Sequence, residues 1–218
     1  RVDLPGHGRS PWSGEATLDA MLDAVCPVVP EEATWLGWSL GGLLAMHAAA
    51  RQPGRVRSLV TVASNPCFVR KPDWPSAMLP QLLEMFATEL EQDYRRTLDR
   101  FLALQVRGSE QATAVLKSLR LAMARRDMPR PEGLQAGLTI LGETDLRAAL
   151  EAIYCPVLLI AGERDTLVPL AALQATAAAL PDARLETVAG AGHAPFVTEP
   201  VGFVNRLLDF VLHDVVCS

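Results

Sequence analysis

The stretch from Thr34 to Ala50 limits the fold more than any other. Thr34-Trp-Leu-Gly-Trp-Ser39 is a short apolar strand, Leu40 to Ala50 is a helix that Pro53 and Gly54 end, and no loop separates the two. A strand that runs straight into a helix must turn sharply, and Gly37-Trp-Ser-Leu-Gly41 supplies the glycines for such a turn. A side chain at either glycine is expected to collide with the neighbouring strand or helix. A helical stretch at Leu18 to Val25 precedes this unit, and Arg57 to Ala63 follows it as a β-branched apolar strand broken by Asn65-Pro66. Strand alternating with helix predicts an α/β fold, a mostly parallel sheet with crossover helices.

From about Phe68 to Leu150 the strand pattern stops and helical periodicity takes over, punctuated by Pro72, Pro75, Pro80, Gly108, Pro129 and Pro131. This predicts a helical cap over 68–150 inserted into a core of 1–67 and 151–218. The alternation resumes with a buried strand at Pro156 to Ala161, a helix near Leu170 to Leu180, a strand at Arg184 to Val188 and a last helix at about Val201 to Val211. The opening Arg1 to Ser10 reads as the end of a buried strand running into a Gly/Pro turn. On that reading the first strands of the sheet are missing from this chain.

With 218 residues, 50% of them hydrophobic, the chain can bury the core of one elaborated domain, expected to be a monomer. Its net charge of −5 argues against general nucleic-acid binding, although a local basic patch stays open. The longest apolar runs fall far short of the roughly 20 residues that span a bilayer, and no export signal is read at the start, so the expected location is cytoplasmic, with no membrane partner. Cys26, Cys67, Cys155 and Cys217 lack metal-type spacing and are expected as reduced thiols. No metal and no cofactor are expected.

The serine in the sharp turn, Ser39, is placed as a nucleophile would be, above the edge of a sheet. A hydroxyl is weakly nucleophilic at neutral pH and needs a base, and four histidines are available. His47 lies eight residues along the helix, a rise of about 12 Å, too far for a hydrogen bond. His7 sits in the early turn and His213 after the last helix. His193 lies in Ala189-Gly-Ala-Gly-His-Ala-Pro195, a Gly-rich loop expected to be flexible, directly after a strand where a parallel sheet gathers its active-site loops. Asp165 follows the strand before it, and the order Ser, Asp, His suits this arrangement. Glu163, two residues earlier, competes for the same role. Each member also has a plainer reading: an incidental serine, a histidine capping the next helix, a solvent-facing capping aspartate. The backbone N–H of Leu40 is one expected oxyanion donor, and a second should come from a loop after an early strand that this chain does not contain.

These residues, with Val2-Asp-Leu-Pro-Gly6, Trp35 to Gly42, Thr61-Val-Ala-Ser64, Pro66-Cys-Phe68, Phe101-Leu-Ala-Leu-Gln105 and Thr144-Asp-Leu-Arg147, give a chain that resembles the BioH family of pimeloyl-[acyl-carrier protein] methyl ester esterases, within the α/β-hydrolase superfamily. The resemblance runs over nearly the whole chain and implies an α/β-hydrolase fold with Ser39, Asp165 and His193 as catalytic residues. It implies removal of the methyl group from a pimeloyl-acyl carrier protein methyl ester through an acyl-enzyme. Phe101, Leu102, Ala103, Leu104 and Gln105 match the acyl-contacting cap segment, and Trp38 and Leu40 flank the nucleophile. Arg96 and Arg100 match arginines that hold the carrier, as does Lys117, where lysine replaces arginine; a fourth such arginine falls on Thr113.

Between Arg107 and Arg130 stand six basic residues (Arg107, Lys117, Arg120, Arg125, Arg126, Arg130) against two acidic ones (Glu110, Asp127), a local charge that suits an acidic carrier. Arginine makes up 18 of the 20 basic residues, so this excess also reads as compositional bias on a solvated surface. Phe101 reads equally as ordinary packing. Two alternatives remain at this stage: a broad esterase of small free esters without a carrier, and a non-catalytic binding protein on the same fold.

Overall fold

The computed structural model describes residues 1–12, 14–106, 112–124 and 129–214. Four parallel strands, β1 (Ala33–Trp38), β2 (Val56–Val62), β3 (Val157–Gly162) and β4 (Ala183–Val188), lie side by side in chain order. The sheet is parallel because a helix carries the chain back after each strand. α1 (Leu18–Val25) precedes β1, α2 (Leu40–Arg51) joins β1 to β2, and α7 (Leu170–Ala179) joins β3 to β4. Thr17 starts α1 by accepting the Ala20 N–H on its hydroxyl.

The two central strands are apolar throughout because both their faces are covered. Val56, Leu59, Val157, Leu159 and Ala161 face one way and pack with α1, α2 and α7, whereas Val60, Val62, Leu158 and Ile160 face the other and pack with Phe203 and Phe210. Phe203 belongs to α9 (Pro200–Asp209), which follows the short α8 (Pro195–Thr198). A period-2 register thus splits each apolar run between two cores.

Between β2 and β3 run α3 (Pro80–Gln92), α4 (Tyr94–Gln105), α5 (Ala112–Ala124) and α6 (Pro131–Glu143). Val69, Met78, Leu83, Phe86 and Leu167 form a third apolar cluster there, joined by Phe101, Leu104, Leu138 and Leu141.

Two sequence expectations need correction. Helical structure does not begin at Phe68: residues 68–79 are irregular, and the first helix of the segment starts at Pro80. Pro72 and Pro75 remove backbone donors, and bonds from Arg70 N–H to Met78 O (2.7 Å) and from Met78 N–H to Phe68 O (3.1 Å) replace helical ones. The opening residues are not a buried strand either; Val2 is 37% exposed and residues 1–4 join no ladder. They fold as a turn in which Ser10 Oγ donates to Asp3 O (2.6 Å) and the His7 N–H to Leu4 O (2.8 Å). That turn docks on α6, where Gly6 O accepts the Arg130 N–H (2.8 Å) and a Cβ on Gly6 would lie 2.6 Å from Gly133 Cα.

Both ends of the helical segment are tied down by charge. Asp145 accepts from Lys71 Nζ (2.9 Å) and from Arg147 Nε and Nη2 (2.8 Å each), while Arg147 also pairs with Asp73 (2.9 Å) and lies over the Trp74 ring (5.5 Å). The Arg147 guanidinium and then the Lys71 ammonium hold the Asp145 carboxyl far below the usual carboxylate range. Among the described residues no helix is long and apolar enough to cross a membrane.

Candidate active site

Ser39 stands between β1 and α2 with φ 53° and ψ −119°, a conformation L residues seldom adopt. Its N–H donates to Val62 O (2.9 Å) at the end of β2, and its carbonyl accepts from Gly42 (2.9 Å) and Leu43 (3.1 Å) in the first turn of α2. Neighbours on both sides therefore hold the turn. A Cβ on Gly37 would lie 2.1 Å from Gly41 O, and one on Gly42 would lie 2.5 Å from Ser64 Cβ. Gly41 behaves differently from the expectation: a Cβ there meets nothing within 4 Å, so the close approach falls on Gly42 instead. Leu40 opens α2, which leaves its N–H without an intrahelical acceptor and available to an oxyanion. The Leu40 side chain reaches toward α6, its Cδ2 lying 3.1 Å from where a Cβ on Gly137 would be.

Asp165 follows β3 and is 7% exposed. Its Oδ1 accepts from the N–H groups of Leu167 (2.8 Å) and Val168 (3.0 Å), and its Oδ2 lies 2.7 Å from His193 Nδ1. The backbone bonds fix the carboxylate, and a carboxylate only accepts, so the imidazole proton sits on Nδ1. Nε2 then carries the lone pair of a base. Among the described residues this nitrogen is buried and has no hydrogen-bond partner, Ser39 Oγ included.

The competing acid, Glu163, is engaged elsewhere, accepting the Gly190 N–H at 2.7 Å. His47 binds Asp19 (2.9 Å) and His7 Nδ1 lies 3.1 Å from Pro5 O, so both of these histidines are turned to other partners. The loop that carries His193 differs from the flexible segment expected. Residues 191–195 are buried, Ala191 O accepts the Arg164 N–H (2.9 Å), and Val188 O accepts the Glu163 N–H (3.1 Å). Gly162 permits this closeness, since a Cβ there would lie 1.9 Å from Gly192 O.

Trp38 has a partner that the sequence did not signal. Its indole N–H donates to His193 O (2.8 Å), its ring lies 5.7 Å from the imidazole, and it meets Phe196 edge-on at 5.2 Å.

A cavity of about 570 Å³ opens between the helical segment and the loop after β3, within the range of small-ligand sites. Leu82, Arg100, Ala103, Leu104, Thr166 and Leu167 are among its walls, the last two following Asp165 directly. Phe101 and Leu102 are not walls of it: Phe101 packs edge-on against Phe86 (5.8 Å) and Leu102 is buried. The side chain of Gln105 lies outside the described residues. Arg96 and Lys117 are exposed, and Arg100 is ion-paired with Glu89. Arg120 forms a two-pronged pair with Asp99 (2.6 Å each), which holds α5 to α4. Arg107, Glu110, Arg125, Arg126 and Asp127 of the basic stretch lie outside the described residues.

Comparison with known proteins agrees with this geometry. The family model of the alpha/beta hydrolase fold matches residues 1–200. A pimeloyl-[acyl-carrier protein] methyl ester esterase of Xanthomonas oryzae pv. oryzae is 51% identical over 90% of this chain and 77% of its own length. One of Xylella fastidiosa is 45% identical over 96% of this chain and 83% of its own. Among solved structures, an esterase from Exiguobacterium antarcticum superposes with a TM-score of 0.86 at 21% identity, over 97% of this chain and 80% of that one, a likeness of fold alone. A hydrolase from Pseudomonas aeruginosa gives 0.81 at 28% identity, over 97% and 78%. The chain therefore belongs to the α/β-hydrolase family and, within it, to the group of pimeloyl-[acyl-carrier protein] methyl ester esterases.

Proposed function

We propose that this protein hydrolyses the methyl ester of a pimeloyl group carried on acyl carrier protein, with Ser39 as nucleophile, His193 as base and Asp165 as the acid that orients it. One observation supports the chemistry above the rest: His193 Nδ1 is held by a buried carboxylate while Nε2 is left buried and unbonded. Ser39 Oγ attacks the ester carbonyl carbon as Nε2 takes its proton, and the Leu40 N–H meets the developing oxyanion. Collapse expels methoxide, which leaves as methanol with the proton from Nε2. A water then attacks the pimeloyl-enzyme, again through Nε2, frees Ser39 and leaves a carboxylate on the pimeloyl chain.

The substrate half of the proposal rests on the named relatives and on the cavity. Its walls are largely apolar and suit a methylene chain, and Ala103 and Leu104 come from the segment assigned to acyl contact; Ser39 and His193 are not among those walls, and Thr166 and Leu167 are its link to the triad through Asp165. On this reading 68–150 acts as a lid on a core of 1–67 and 151–218, and Arg96, Arg100 and Lys117 meet the acidic carrier. The test compares kcat/KM for the carrier-bound methyl ester with that for p-nitrophenyl esters. A preference of a hundredfold or more for the carrier-bound ester is expected; equal rates would leave a broad esterase of small esters.

A further inference from the structure

We infer that Trp38 is a positioning residue for His193, linking the nucleophile turn to the base through the indole N–H and ring. The inference rests on the triad reading above and reassigns Trp38 from substrate contact to alignment of the base. Ser39 and His193 are far apart in sequence and arrive on separate loops, so their alignment depends on how those loops are joined. Asp165 fixes the imidazole through Nδ1, which sets tautomer and ring orientation and leaves the backbone of the loop to other restraints.

Trp38 supplies such a restraint from the residue next to the nucleophile. Its N–H donates to the carbonyl of His193 itself at 2.8 Å, and its ring lies 5.7 Å from the imidazole. The ring is in turn wedged against Phe196, two residues beyond Ala194, and Phe196 packs against Phe203 of α9 at 5.8 Å. Nucleophile, base loop and the apolar core behind them thus form one chain of contacts. Base and nucleophile must meet within hydrogen-bond reach, so a displacement of about 1 Å weakens proton transfer without altering how tightly an ester is held.

The variant Trp38→Phe keeps an aromatic ring and removes the donor. With p-nitrophenyl butyrate, kcat is expected to fall about tenfold with KM within twofold of the parent. Fluorophosphonate labelling of Ser39 should slow by the same factor, and the downfield Nδ1–H proton resonance of His193 should broaden or shift. An unchanged kcat, or a rise in KM alone that grows with acyl-chain length, would make Trp38 a wall of the acyl site and overturn the inference. If Trp38→Phe fails to fold, Phe196→Leu leaves the indole in place but removes its support, and a three- to fivefold loss in kcat at constant KM is expected; no loss refutes the linkage. A Ser39→Ala control separates the two readings, since retained hydrolysis there defeats the triad itself whatever Trp38 does.

Discussion

At the carboxyl ends of the strands, Asp165 is 7% exposed and takes three hydrogen bonds, and His193 is 1% exposed with its ring and its carbonyl both engaged. In the helical segment, Arg120 and Asp99 meet with 50% and 52% of their side chains in solvent, and Arg100 pairs with Glu89 while half exposed. Both regions are polar, yet they use charge differently. At the rim each group has one geometry, enforced by burial and backbone donors, because proton transfer tolerates little displacement. The Arg120–Asp99 and Arg100–Glu89 pairs are surface pairs, worth about 0–1 kcal/mol each and screened by salt, so a docking partner can exchange them at little cost. On the proposed function, reaction chemistry falls to the rigid region and partner choice to the exchangeable one.

The sharpest break in that comparison comes from the rim. Replacing Ser39 or His193 by alanine is expected to lower kcat by about 10⁴-fold on every ester, carrier-bound or free, as steady-state assays would show. Charge reversal on the helical segment should do the opposite. With Arg96→Glu and Lys117→Glu combined, KM for the carrier-bound ester should rise at least tenfold at low ionic strength, and p-nitrophenyl ester hydrolysis should stay within twofold, since neither residue lines the cavity. If free esters suffer equally, the segment is part of the reaction site and the division fails.

Asp145 tests what holds the segment in place. Its carboxyl is depressed by Arg147 and Lys71, so the stability it contributes is complete above the ordinary carboxylate range near pH 4 and is lost as the pH falls toward its lower folded value. Asp145→Asn should cost about 1–2 kcal/mol at pH 7 and flatten the loss of stability between about pH 4 and 2, measured by urea unfolding across pH. The smallest effect is expected at Glu89. Glu89→Gln frees Arg100 from its ion pair and should lower KM for the carrier-bound ester about two- to threefold, while free-ester kinetics hold.

How much of this was visible in the sequence varies with the range of the interaction. α1 at Leu18–Val25 has Thr17 as its cap and an apolar face of Leu18, Met21, Leu22 and Val25, all local signals. β2 and β3 announced themselves as continuous apolar runs because helices cover both faces. The irregular course of 68–79 is only partly legible: Pro72 and Pro75 mark it locally, whereas its side-chain ties run to Asp145 and Arg147, more than sixty residues further on. The sequence favours Asp165 and leaves Glu163 as a competitor two residues away, and the fold separates them, sending Glu163 to Gly190 and Asp165 to His193. Nothing local marked Trp38 as a partner of His193, and the cavity, assembled from three helices and a loop, left no motif.

By itself the sequence determined the order of the four core strands and the helices between β1 and β2 and between β3 and β4, the sharp turn at Ser39 and the residue types needed for ester hydrolysis, since these follow from side-chain periodicity and from glycines a few residues apart. The tertiary structure decided that Asp165 and not Glu163 holds the imidazole, which ring nitrogen is left unbonded, and which arginines are already paired. Those choices depend on distances of about 3 Å between residues remote along the chain, and a hydrogen bond is lost within an ångström of error.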